Sequence, residues 1–121
     1  MQTAQGGIVS TLQFGKDRAM SCGFISMICG VDKRDVRKAV EYVRCQSDPD
    51  DPATQVVVSC RKGYYLADTL REALAFYRFH RFGLFINGYA VEKIRVIIKN
   101  KAGLDPDLIR FAELRRNEVR D

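Results

Sequence analysis

The chain has no tryptophan, one histidine, three prolines and four cysteines among its 121 residues. A lone imidazole, His80, has no second histidine to share a metal with, and no nucleophile-and-base motif accompanies it. No phosphate-cradling loop of the Walker type occurs either, so catalysis is not expected. Cys22, Cys29, Cys45 and Cys60 include no CxxC pair, and closely paired ligands are the usual signature of tetrahedral zinc. Neither a metal nor a cofactor is therefore expected, and the thiols read as small core residues kept reduced in the cytoplasm. Apolar runs are short, as at 56–58 and 82–86, where a membrane helix needs about 20 apolar residues. The opening MQTAQGG lacks the charged-then-apolar pattern of a secretory signal, which again implies a cytoplasmic protein.

What is present suits one globular domain: 46% hydrophobic and 29% charged residues, with a net charge of +5. That excess is modest, and its distribution says more than its sum. Residues 33–44 hold Lys33, Arg34, Arg37, Lys38 and Arg44 against Asp35 and Glu41. Residues 61–82 hold Arg61, Lys62, Arg71, Arg78 and Arg81 against Asp68 and Glu72. An acidic, proline-containing connector with Asp48, Asp50 and Asp51 separates them.

Periodicity predicts a first helix carrying Ile8, Val9, Leu12 and Phe14 and stopping near Gly15. Ser21 is placed to cap a second helix with Phe24, Ile25 and Ile28 on one face, and Gly30 to end it. Asp32 then opens a third helix running to about Arg44. Its apolar arc is Val36, Ala39, Val40 and Val43; Arg34, Arg37, Lys38 and Glu41 lie opposite. Residues 55–67 read as a β-hairpin with its tip at Arg61–Gly63, and strand alternation sends Tyr64 and Tyr65 to opposite faces. Asp68 or Thr69 caps a helix over about 69–82, apolar on more than one side. Its Phe76, Phe79 and Phe82, together with Phe85, read as core or as a dimer or partner interface. Residues 83–103 are ambiguous: Asn87-Gly88 suits a hairpin turn, while Val91, Ile94, Ile97 and Ile98 suit a helix from about Tyr89 to Asn100, ended by Gly103. A last helix is expected from Asp105-Pro106, with Leu108, Ile109, Ala112 and Leu114 as its stripe.

The order of two helices around a tight glycine turn, then a hairpin with a basic tip, carries a resemblance. The run AMSCGFISMICGVDKRDVRKAVEYVR resembles the winged helix-turn-helix domains of bacterial and phage-encoded DNA-binding proteins. Ser21, Ile25, Gly30, Val31, Asp32, Arg34, Val36, Arg37 and Val40 fit their pattern. RKGYYLAD, with Gly63, Tyr64, Tyr65 and Leu66, looks like the wing and the start of the closing helix. The likeness covers about residues 8–82; Gly23 and the long acidic connector depart from it. It implies a mostly α fold with a small β-hairpin, made of a winged helix-turn-helix domain (1–82) and a helical C-terminal extension (83–121) packed on it or dimerising. It also implies binding to double-stranded DNA, as a phage-type or mobile-element regulator or a replication accessory factor. Lys33, Arg34, Arg37 and Lys38 would then lie in or beside the major groove, with Glu41 on the same arc, and Arg61 and Lys62 would contact the backbone from the wing. The alternative is a protein-interaction module that uses the aromatic helix and the C-terminal segment.

Overall fold

Local capping chemistry sets most of the element boundaries. We describe residues 4–82 and 86–108 from a computed structural model of the chain. Helix α1 (Ala4–Val9) stops well short of Gly15. The Ser10 and Thr11 hydroxyls donate to the carbonyls of Gly7 and Ile8, and the N–H groups of Thr11 and Leu12 reach back three residues. That tightening ends the helix. Gly15, at φ 95°, instead opens a 3₁₀ turn over Lys16–Arg18. The flanking residues run beside the later hairpin. Leu66 N–H donates to Gln13, Gly15 N–H donates to Leu66, and Met20 and Tyr64 exchange both backbone bonds.

Helix α2 (Cys22–Cys29) begins where expected, with Ser21 Oγ accepting from Phe24 N–H at 3.0 Å. Gly30 closes it in the left-handed conformation, φ 68°. The Ser26 side chain donates to the Val31 carbonyl, locking the turn into the next helix. Helix α3 (Lys33–Gln46) follows Asp32, whose backbone is extended as a cap requires but whose carboxylate makes no capping bond. Strands β1 (Val57–Cys60) and β2 (Gly63–Leu66) pair antiparallel, from Val57 opposite Leu66 to Cys60 opposite Gly63, around the tip Arg61-Lys62. Thr69 caps α4 (Leu70–His80) by accepting from Glu72 N–H. The Glu72 carboxylate in turn accepts from the N–H groups of Asp68 and Lys16, tying the 3₁₀ turn to the start of α4.

The ambiguity at 83–103 resolves as helix α5 (Gly88–Ala102). Asn87 serves as its cap, accepting from Tyr89 N–H at 2.8 Å, and Gly103 ends it at φ 78°. Residues 106–108 form a turn with Pro106 buried. The remainder of the expected last helix, with Ile109, Ala112 and Leu114, lies outside the described residues.

The fold is thus mostly helical with a small two-stranded sheet, and that sheet separates two apolar clusters. One joins Ile8, Leu12, Ile25, Val36, Ala39, Val40 and Val57. The other joins Val56, Val58 and Tyr65 to α4 and to Val91, Ile94, Ile97 and Ile98 of α5. Alternation along β1 sends Val57 to one side and its neighbours to the other, so three consecutive valines are buried, as in any strand covered on both faces. Tyr64 and Tyr65 divide likewise, but both faces are covered, so Tyr64 packs against the first cluster rather than facing water. One expectation fails on α2. Ile25 is 0% exposed, whereas Phe24 and Ile28 are 47% and 49% exposed, because α1 and α3 cover only a narrow stripe of this two-turn helix. Among the described residues, no helix is long and apolar enough to cross a membrane.

Candidate nucleic-acid interface

The side chains of Lys33, Arg34, Arg37, Lys38 and Glu41 are exposed along α3. Residues at these spacings share the arc left over once Val36, Ala39 and Val40 face the core. None of these five side chains makes an ion pair or hydrogen bond among the described residues. Arg95, by contrast, is held by Glu92 at 2.7 Å and Asp105 at 3.1 Å. The hydrogen bond to Arg95 also lowers the Glu92 pKa. Lys33, Arg34, Arg37 and Lys38 have no such neutralising partner among the described residues and face solvent.

Arg61 and Lys62 are exposed at the hairpin tip. The tip is held to the front of α2 by an unusually close approach. Gly63 sits at φ 136°, and a Cβ there would lie 2.0 Å from the Met20 carbonyl oxygen. Met20 and Ser21 lead directly into α2, so this contact fixes the hairpin tip against the start of the helix pair. At the start of α2, the Cys22 thiol donates to the Lys33 carbonyl at 3.3 Å, tying α2 to α3.

Arg44, the last of the basic residues in 33–44, is buried, only 7% exposed. Its Nε donates to the Val57 carbonyl at 2.9 Å, Nη2 lies 3.5 Å from Ser59 Oγ, and the guanidinium sits 4.8 Å from the centre of the Phe76 ring. No carboxylate lies within ion-pairing distance among the described residues. Burial lowers its pKa to about 10, partly offset by Tyr64, Glu41 and Cys45. The signal for this was in the sequence: positions 36, 40 and 44 are successive steps of four, which place Arg44 on the edge of the apolar arc.

The aromatic set divides. Phe76 is core beneath Arg44, not a partner surface. Phe79 and Phe82 are 69% and 75% exposed, and Phe85 lies outside the described residues. His80 is buried against the rings of Phe76 and Phe79, and burial, then Arg44, lowers its pKa. The four cysteines are free and half-buried; burial, then Glu41, raises the Cys45 thiol pKa. Among the described residues, no three metal-ligating side chains come together. A feature the periodicity obscured is the outward apolar face of α2, formed by Phe24, Met27 and Ile28. Compared with protein-family models, curated proteins and solved structures, the chain matches none.

Proposed function

We propose that this protein binds double-stranded DNA as a winged helix-turn-helix domain, with α3 in the major groove and the Arg61-Lys62 tip on the backbone. The observation that carries this reading is the exposed arc of Lys33, Arg34, Arg37 and Lys38, without ion pairs among the described residues, on a helix that follows a tight Gly30 turn. A helix about 10–12 Å across fits a major groove about 12 Å wide. Arginine suits bidentate pairing with guanine, and lysine chiefly supplies charge to phosphates. The protein acts in the cytoplasm, as a phage-type or mobile-element regulator or a replication accessory factor. As a homodimer it would read half-sites about 34–36 Å apart.

The test is selection of bound sequences from a random duplex pool, followed by salt titration of the winner. Each phosphate neutralised contributes about −0.9 to the slope of log K against log salt. A recovered consensus with a steep slope supports the reading; no enrichment and no duplex binding at low salt rejects it.

A second reading, a protein-interaction module, draws on the exposed Phe24, Met27 and Ile28 of α2 and on Phe79 and Phe82. Apolar side chains grouped on a surface mark contact sites more often than scattered ones do. Substituting Met27 and Ile28 by serine would leave duplex affinity intact and abolish self-association or partner capture.

A further inference from the structure

Behind the exposed arc of α3 lies a cleft of about 320 Å³ between that helix, the hairpin and the start of α5. Such a volume is at the small end for ligand sites. Its wall includes Arg44, Ser59 and Tyr64, its rim Arg37 and Glu41, and its far side Asn87 at the N-terminus of α5.

Three independent features give this cleft one sign. Among the described residues, Arg44 is buried without a carboxylate, and two of its guanidinium's five donors are engaged, at Val57 and Ser59. A buried charge left uncompensated is costly, and an anion is the natural remedy. Arg37, two helical turns before Arg44 on nearly the same line of α3, adds at the mouth a second guanidinium with no ion pair among the described residues. Helix α5 is fifteen residues long, has no acidic residue in its first turn, and places Asn87 and Ala90, at its positive end, on the cleft. Against these stands one carboxylate, Glu41, exposed on the rim. The Ser59 and Tyr64 hydroxyls supply neutral donors, suited to an oxyanion with several acceptor oxygens.

We infer that this cleft is a phosphate-binding site in which Arg44 and Arg37 hold the oxyanion against the N-terminus of α5. The phosphate comes either from a small phosphorylated molecule or from a nucleic-acid backbone. The site does not depend on the duplex reading, since a free phosphate reaches it without DNA.

The test titrates the full-length protein with inorganic phosphate at constant ionic strength, balanced with chloride, and follows the Arg44 Nε–Hε resonance by NMR. A saturable, single-site shift is expected. Arg37→Gln should weaken phosphate about two- to five-fold and Glu41→Gln should tighten it by a similar factor, the usual scale for one partly exposed charge. Both side chains are exposed, so both variants keep the fold, and they decide the matter even if Arg44→Met, expected to abolish binding, does not fold. A second arm adds a short duplex. If the duplex moves the Arg44 resonance and phosphate competes with it, the backbone is the source; if phosphate binds unchanged beside saturating duplex, a small molecule is. An Arg44 resonance indifferent to both, a shift reproduced by chloride, or an affinity unmoved in both rim variants overturns the site.

Discussion

Gly63→Ala is the substitution at which the tertiary structure makes its sharpest demand. A Cβ at this position would lie 2.0 Å from the Met20 carbonyl oxygen, 2.3 Å from its carbon and 2.6 Å from Ser21 N. All three are backbone atoms, so no side chain can swing aside. Regaining ordinary contact moves that peptide by about 1 Å or more, and the same carbonyl accepts from Tyr64 N–H at 2.8 Å while Met20 N–H donates to Tyr64 at 2.9 Å. Losing both bonds costs about 1 kcal/mol each, and the positive φ adds about 1–2 kcal/mol for an L-residue. The sum is about 3–4 kcal/mol. Gly30→Ala is the control: its φ of 68° is also left-handed, but nothing lies within 4 Å of the added Cβ, so only about 1 kcal/mol is expected. Urea unfolding of the wild type and both variants reads the difference directly, since a domain of this size has about 5–15 kcal/mol in total. Equal urea midpoints for the two alanine variants would refute the reasoning, because backbone conformation alone would then account for both.

Further outcomes follow from the same contacts. In gel-shift titrations on specific and random duplexes, Arg34→Ala and Arg37→Ala should reduce discrimination, whereas Lys62→Ala should weaken all duplexes alike and reduce the salt slope by about 1; indifference of all three variants would count against duplex binding. His80, the single histidine, has a folded pKa below its usual 6.5. Its neutral form is therefore favoured by folding: stability is full above pH 6.5, falls below it because the unfolded chain takes up the proton first, and is lost once the pH has dropped through the folded value. Urea midpoints at pH 7.5 and 5.5 should differ, and His80→Gln should shrink the difference; an unchanged gap in the variant would show that other groups carry it. Leu74→Ala, at a fully buried position, should cost about 2–5 kcal/mol, whereas the exposed Phe82→Ala should stay within about 0.5 kcal/mol; calorimetric melting distinguishes them.

The boundaries of α2, α4 and α5 were readable because their chemistry is local. Ser21 and Thr69 accept from residues three positions on, and Gly30 and Gly103 adopt the conformation that glycine reaches most cheaply. Asn87-Gly88 shows where locality ends. The same dipeptide serves a hairpin turn or a helix start, and the choice was made by Val91, Ile94, Ile97 and Ile98 burying against α4 and β1. Phe14 and Gly15 do not end a helix, for the converse reason: residues 13, 15 and 20 find backbone partners at 64 and 66, some fifty positions away, and no periodicity marks them. In the candidate interface, the exposed arc of α3 could be drawn from helical spacing alone. Arg44 was within reach of the same reasoning and was missed because its charge was weighed above its position. The cleft around it was not legible at all, since it takes in Ser59 and Tyr64 of the hairpin and Asn87 of α5.

By itself, then, the amino-acid order determined helix caps, the hairpin and which side of α3 would be charged, because each depends on neighbours within a turn or two. Only the packed chain decided that α2 would show Phe24 and Ile28 to solvent, that Gly63 would press on Met20, and that one arginine would be enclosed. Those outcomes depend on which surfaces remain once distant segments have covered the others, a quantity that exists only after the chain has folded.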